Sequence, residues 1–295
     1  MNEFKTYHPI VNFIYFVLVI GFAMFFMHPI SLAISLLCSF TYSAVLGGKK
    51  KLKSNLMYML PMMIIMALIN PAFNHEGLSV LAYLPSGNPI TLESILYGFA
   101  AAVMIVSVIC YFSCYNEVMT SDKFIYLFGR IIPAMSLILS MTLRFVPRFI
   151  AQLKVVANAQ RGMGRDVSCG SIIKRAKHGL NILSIMVTWA LENAIETADS
   201  MKARGYGIGK RTAFSIFTFD KRDMKCLMCI AFLGIYTFVG NLTGEMSFTY
   251  FPSMKGAEIS AFGISTFLSY FALCMCPVII ELWEMRKWKA LKSKM

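Results

Sequence analysis

MKARGYGIGKRT, residues 201–212, sits in a chain that is otherwise strongly apolar. It holds four cationic side chains and three glycines in twelve residues, and no acid. A shorter version, QRGMGR, occupies residues 160–165. Both contain Arg-Gly-x-Gly followed by a base, which makes Arg161 and Arg204 equivalent positions. What an apolar chain does with two such segments decides how the rest of it is read.

Hydrophobic residues make up 57% of the 295 positions and charged residues only 15%, against about 25% in a soluble domain. The mean hydropathy is +0.63. These values predict an integral membrane protein. The N-terminus has neither the basic start nor the small-residue cleavage site of a signal peptide, so the first apolar run is expected to be retained. Runs long enough to cross a bilayer, roughly 17–25 residues, are expected at Ile10–Met27, Pro29–Leu46, Asn55–Ile69, Thr91–Tyr115, Cys226–Leu242 and Ile259–Leu282.

Charge placement orients these runs. Lys49, Lys50, Lys51 and Lys53 follow the second run and mark a cytoplasmic loop. Residues 70–90 have no Lys or Arg, and residues 243–258 have only Lys255, so both read as external. Residues 116–225 carry 17 Lys or Arg against 8 Asp or Glu and read as cytoplasmic. The tail, with Arg286, Lys287, Lys289, Lys292 and Lys294, reads the same way. The signs alternate across six spans and leave both termini inside. No ionisable residue lies in the middle of a span, which disfavours a proton-coupled transporter or an intramembrane hydrolase. His8, His28, His75 and His178 form no ligand pattern, and Cys226-x-x-Cys229 has no second pair or nearby histidine. No catalytic, cofactor or metal residues are expected.

The fold class that follows is an all-α membrane protein: about six transmembrane helices plus a cytoplasmic region of two long crossing helices and one short one. The divisions are 1–115 for spans 1–4, 116–225 for the cytoplasmic helices, and 226–295 for the last two spans and the basic tail. Within 116–225, Ser121-Asp122 starts a short amphipathic helix ending near Gly129. A second helix runs from Pro133 to Gly162, kinked at Pro147. A third starts in Ser168–Ser171 and ends at Gly205. Both long helices therefore end at Arg-Gly. The plain interpretation is a C-cap, with glycine as the left-handed residue and a cation complementing the helix dipole. Two matching tips on one membrane protein also fit two carboxylate-lined sockets, since guanidinium forks a carboxylate. The segment Gly205–Lys210 is not a phosphate loop, because the glycine spacing fails and Arg211 follows the lysine.

At this point the sequence resembles the transmembrane T component of energy-coupling factor (ECF) transporters. The resemblance rests on His8-Pro9, Asn74-His75-Glu76-Gly77 with Gly98, Leu143–Pro147 leading into Ala159–Gly162, and above all Met201–Gly207 with Lys210-Arg211-Thr212. Gln160 departs from the family's commoner alanine. The resemblance implies a non-catalytic subunit of an ATP-driven importer in a prokaryotic plasma membrane. It implies two cytoplasmic ABC-type ATPase subunits as partners, and one small substrate-binding (S) component, dedicated or interchangeable. The lipid bilayer surrounds it, and no nucleic acid is involved. The cargo, a vitamin or metal ion, would be chosen by the S component. Gln160, Arg161, Gly162, Ala203, Arg204 and Gly205 would form the ATPase-docking tips, with Lys210 and Arg211 adding a steering field.

Two expectations go beyond the resemblance. Arg144 and Arg148 share a face of the second helix, while Asn181, Ser184, Thr188, Glu192, Glu196 and Asp199 form a polar stripe on the third. A pairing of Arg144 or Arg148 with Glu192 or Glu196 would fix the crossing. Met63, Met66, Met135, Met141 and Met186 could together form a soft surface able to re-pack against different partners. The readings from other classes are a self-contained permease and a membrane enzyme acting on lipid.

Overall fold

The computed structural model describes residues 3–83, 89–129, 133–208, 217–256 and 260–292. The described chain is almost entirely helical. The helices are α1 (Pro9–Phe25), α2 (Pro29–Phe73), α3 (Leu92–Val118), α4 (Ser121–Gly129), α5 (Pro133–Gly162), α6 (Ile172–Ala203), α7 (Lys221–Leu242) and α8 (Ala261–Lys292). A 3-10 turn at Glu3–Thr6 precedes them. Two small antiparallel hairpins, β1 (Val80–Tyr83) with β2 (Pro89–Thr91) and β3 (Phe248–Thr249) with β4 (Lys255–Gly256), interrupt them.

The chain divides into two compact units, residues 1–123 with 217–295, and residues 124–216. In the first unit, five helical segments are long and apolar enough to cross a bilayer: Pro29–Gly48, Asn55–Phe73, Leu92–Val118, Lys221–Leu242 and Ala261–Lys287. Helix α1 has 17 residues, about 26 Å, somewhat less than a hydrocarbon core of about 30 Å. The expected loop between the second and third spans is a break at one residue. Only Gly48, at φ 65° and ψ −169°, leaves the helical region within α2. Glycine alone adopts that conformation without a steric penalty. The chain folds back there, because Asn55 Nδ2 donates to Ser43 Oγ at 2.8 Å. In a straight helix these residues would stand about 18 Å apart.

Every fourth or third residue of α1 turns inward, and Val11, Tyr15, Phe16, Val19 and Phe22 pack with Tyr42, Tyr111, Ile230, Tyr270 and Leu273. Polar groups inside a lipid-embedded bundle must find partners within it. Tyr15 donates to the Cys274 carbonyl at 3.0 Å, and the Ser35 and Tyr270 hydroxyls bond at 2.5 Å. At the end of the bundle read as external, Glu93 accepts from the Ser79 N–H, and Thr91 and Ser94 donate to the carbonyls of Glu76 and Asn74. This ties the Asn74–Gly77 motif to the start of α3.

The opposite end is closed by a polar clasp around the N-terminal turn. The Phe4 N–H donates to buried Glu281 at 3.3 Å, and the His8 N–H to buried Asp223 at 3.2 Å. Asp223 also accepts from the Asp220 N–H at 3.1 Å, completing a capping box at the start of α7. Lys123, 4% exposed, donates to the Lys5 carbonyl. With the Asn12 amide oriented to satisfy its neighbours, its oxygen accepts from Lys123 at 2.7 Å and its nitrogen donates to the Phe4 carbonyl at 3.1 Å. Burial, with Lys5 nearby, lowers the Lys123 pKa to about 8. Arg222 lies 4.3 Å over the Tyr7 ring, and Phe219 packs edge-on against His8. Lys123 and Asp223 are thus interior residues of the first unit, which is why that unit reaches past the boundaries expected at 115 and 226.

In the second unit, α5 runs unbroken through Pro147, and α6 begins after Ser171. Among the described residues, their buried apolar contact is Val156 against Ile182 and Met186, flanked by Phe149, Ala157 and Trp189. The Phe149 and Trp189 rings meet edge-on at 5.2 Å. An apolar groove of about 620 Å3, lined by Phe149, Leu153, Ile182 and Met186 among others, opens beside this contact.

Both long helices end in a complete Schellman cap. In α6 the Tyr206 N–H donates to the Met201 carbonyl at 3.0 Å and the Gly205 N–H to Lys202 at 2.9 Å, with Gly205 at φ +83°. In α5 the same bonds run from Arg165 to Gln160 at 2.9 Å and from Gly164 to Arg161 at 3.0 Å, with Gly164 at φ +75°. Helix α5 ends at Gly162 as expected, but the left-handed residue beyond it is Gly164 and not Gly162. Either glycine of Arg-Gly-x-Gly can cap, and the two copies use different ones.

Two outcomes follow. Gly164→Ala should lower stability by about 1 kcal/mol or more, because alanine is strained at positive φ. Gly162→Ala should be neutral or gain about 0.5 kcal/mol as a helical site. Chemical or thermal unfolding of the purified protein measures both.

The second concerns His8 and His28, each followed by Pro-Ile. Each is an N-cap whose Nδ1 accepts the N–H of the residue two ahead, Ile10 at 3.3 Å and Ile30 at 3.2 Å. Only the unprotonated Nδ1 can accept. Burial lowers the pKa of both; for His8, Asp223 opposes the shift and Lys123 adds to it. The folded state thus binds fewer protons than the unfolded chain, and this stability is lost as pH falls from about 6.5 through the lowered values. The unfolding temperature should drop between pH 7 and pH 5. His28→Asn, which keeps a capping acceptor but does not titrate, should reduce that drop.

Candidate functional site

The two Arg-Gly tips lie at the ends of α5 and α6. Counted from the caps, Arg204 is the C-cap residue of α6, while Arg161 lies two residues earlier, inside the last turn of α5. Two residues of helix are about 200° of rotation. Positions that are equivalent in sequence therefore point in different directions relative to their own caps.

Their electrostatic surroundings differ too. Arg161 Nε lies 3.2 Å from Asp166 Oδ2, and its side chain is largely exposed. Asp166 Oδ1 accepts the Ser168 N–H at 2.9 Å, which closes a tight turn after the cap. The hydrogen bonds from Ser168, then the Arg161 and His178 charges, hold the Asp166 carboxyl below the usual carboxylate range. Arg204 is exposed and has no ion pair among the described residues; the nearby acid, Asp199, lies 3.9 Å from Lys202. Gln160 is buried, and its Oε1 has no hydrogen-bond partner among the described residues. Ala203 is the last helical residue of α6, and Gly207 is also left-handed, at φ +93°. Lys210 and Arg211 lie outside the described residues.

The charged pairing expected at the helix crossing is not formed. Arg144, Arg148, Glu192 and Glu196 are all exposed, and no ion pair joins either arginine to either glutamate. Arg148 lies 5.8 Å over the Trp189 ring instead, and Arg144 5.9 Å over Phe145. The crossing is apolar, and the four charges are solvated on either side of it. Met186 is likewise not part of an exposed surface, because it is buried in that contact. Met63 is half-buried where the two halves of α2 meet α3, Met66 and Met141 are half-buried, and the Met135 side chain lies outside the described residues. The Arg161–Asp166 pair was not expected from the sequence. The signal for it was an acid five positions after the arginine, across a glycine able to reverse the chain.

Residues 3–214 match the family model described as CbiQ, cobalt transport protein. Similar relatives are energy-coupling factor transporter transmembrane proteins EcfT. That of Lactobacillus helveticus is 38% identical over 90 residues, which is 30% of this chain and 32% of the relative. That of Leuconostoc gelidum is 33% identical over 106 residues, 36% and 38% of the two chains. That of Staphylococcus aureus is 32% identical over 111 residues, 37% and 41% of the two chains. The chain thus spans only about a third to two fifths of the length of these relatives. Because the family model covers well over half of its residues, the chain belongs to the CbiQ cobalt transport protein family, whose match includes both Arg-Gly tips.

Proposed function

We propose that this protein is the transmembrane coupling subunit of an ECF-type importer. It is a multi-pass protein of the cell membrane with both termini in the cytoplasm. It joins two cytoplasmic ABC-type ATPases to a small membrane-embedded S component and passes ATP-driven movement to it, so that a vitamin or metal ion is released inside. Hydrolysis belongs to the ATPases, and cargo choice to the S component. The observation that carries this reading is the pair of capped helix ends, each presenting an exposed arginine, on a chain of this family. A Schellman cap stops a helix abruptly, so the last-turn side chain meets solvent on a rigid support. That suits insertion of guanidinium into an acidic groove.

The exposed apolar side chains of α6 support the S-component contact. Leu180, Leu183, Val187, Leu191 and Ile195, spaced by three and four, share one face of the helix and are all exposed. A bundle helix with polar partners alone would have no need of such a face. The permease and lipid-enzyme readings assign no role to the paired tips.

Removing one partner of a desolvated charged pair costs about 2–5 kcal/mol, or at least about 25-fold in affinity. Arg204→Ala should weaken ATPase binding by that factor and reduce uptake into membrane vesicles, with membrane insertion unchanged. The double variant with Arg161→Ala should release the ATPases, since two-point attachment is lost as well. Arg→Lys should rescue only in part, because an ammonium cannot fork a carboxylate. Full ATPase co-purification and full uptake by the double alanine variant would leave the tips as ordinary C-caps.

A further inference from the structure

The two tips differ in one neighbouring charge. Arg161 is already engaged by a carboxylate of its own chain, 3.2 Å away. Asp166 cannot easily follow the arginine elsewhere, because its other oxygen is held by the Ser168 N–H at 2.9 Å and its backbone is fixed just beyond the Schellman cap. His178, on α6, is the other ionisable group that faces it. Arg204 has no such acid among the described residues. Resting on the docking role proposed above, we propose that Asp166 is an intramolecular competitor for Arg161. It occupies the guanidinium that an acidic groove on an ATPase would otherwise take. This makes the α5 tip the weaker and more readily released contact and the α6 tip the standing anchor.

Docking at the two tips differs by an exchange of partners. At the α6 tip, docking adds a carboxylate to an uncompensated cation. At the α5 tip, docking must either break the Arg161–Asp166 pair or bring a second carboxylate close to Asp166, and both oppose binding. The pair is largely exposed, where such contacts are worth little individually, so the handicap is modest and the exchange is fast. Arg161 is the partner that moves. It sits on a helix end flanked by Gly162 and Gly164, and a Cβ at either glycine would meet no atom within 4 Å.

Asp166→Asn tests this cleanly, because asparagine removes the charge while its side-chain oxygen still accepts from the Ser168 N–H. The full-length protein in lipid nanodiscs is titrated with its purified ATPase subunits. Asp166→Asn should bind them about two- to fivefold more tightly than the wild type. The gain should vanish in an Arg161→Ala background and shrink as salt is raised. Arg204→Ala should weaken binding more than Arg161→Ala does. If Asp166→Asn binds equally or more weakly while Arg161→Ala weakens binding, Asp166 positions the arginine or is a bystander, and the competition is wrong while the docking role stands. If neither arginine variant changes binding, the docking role itself fails, and the competition with it.

Discussion

One buried carboxylate fixes the frame on which the rest depends. Asp223 takes up the N–H of His8 with one oxygen and the N–H of Asp220 with the other. It thereby joins the segment leading into α1 to the first turn of α7. Lys123 does the same for the chain entering α4, through the Lys5 carbonyl and Asn12. These are the two places where the chain leaves the membrane-spanning unit and returns to it. Buried polar groups of this kind hold one geometry or lose several hydrogen bonds together. The short N-terminal turn Glu3–Thr6, with His8 just after it, therefore pins both exits. The coupling role proposed above would need such fixed mounts, since a mount that yields absorbs the motion it should pass on.

The second unit is built differently. Its two long helices share a small buried contact and expose much of their apolar surface. Among the described residues, what holds them in one relative position is Val156, Ile182, Met186 and the Phe149–Trp189 edge. That economy fits helices whose remaining surface is completed by other proteins. Their ends, by contrast, are sharply defined, with every Schellman bond present in both.

Much of this was legible in the sequence, and the exceptions have common causes. Ser121-Asp122, Pro133, Ser171 and Gly205 marked helix boundaries because glycine, proline and capping residues act on their own few neighbours. Gly162 ended its helix as expected, but the left-handed residue was Gly164, because Arg-Gly-x-Gly offers two glycines within one turn and the choice between them depends on where the hydrogen bonds of the last turn close. The Arg144 or Arg148 pairing with Glu192 or Glu196 was inferred from helical faces. Spacing tells which side chains share a face and not which face meets a neighbour. Apolar contact won at the crossing, and the charges remained in water, where they cost least. Gly48 was hidden because the basic residues after it stay helical. The burial of Lys123 and Asp223, within the region read as cytoplasmic, was not expected, because a buried charge can be recognised only with its partners in view.

The central claim is that both helix tips rest on ATPase subunits. A photoreactive residue placed at Tyr206, exposed beside Arg204, and separately at Met163, exposed beside Arg161, tests it directly in native membranes. Irradiation followed by mass spectrometry should yield adducts between each position and an ABC-type ATPase, at peptides rich in Asp and Glu. Adducts to lipid alone at both positions, in membranes that contain the ATPases, would contradict the account.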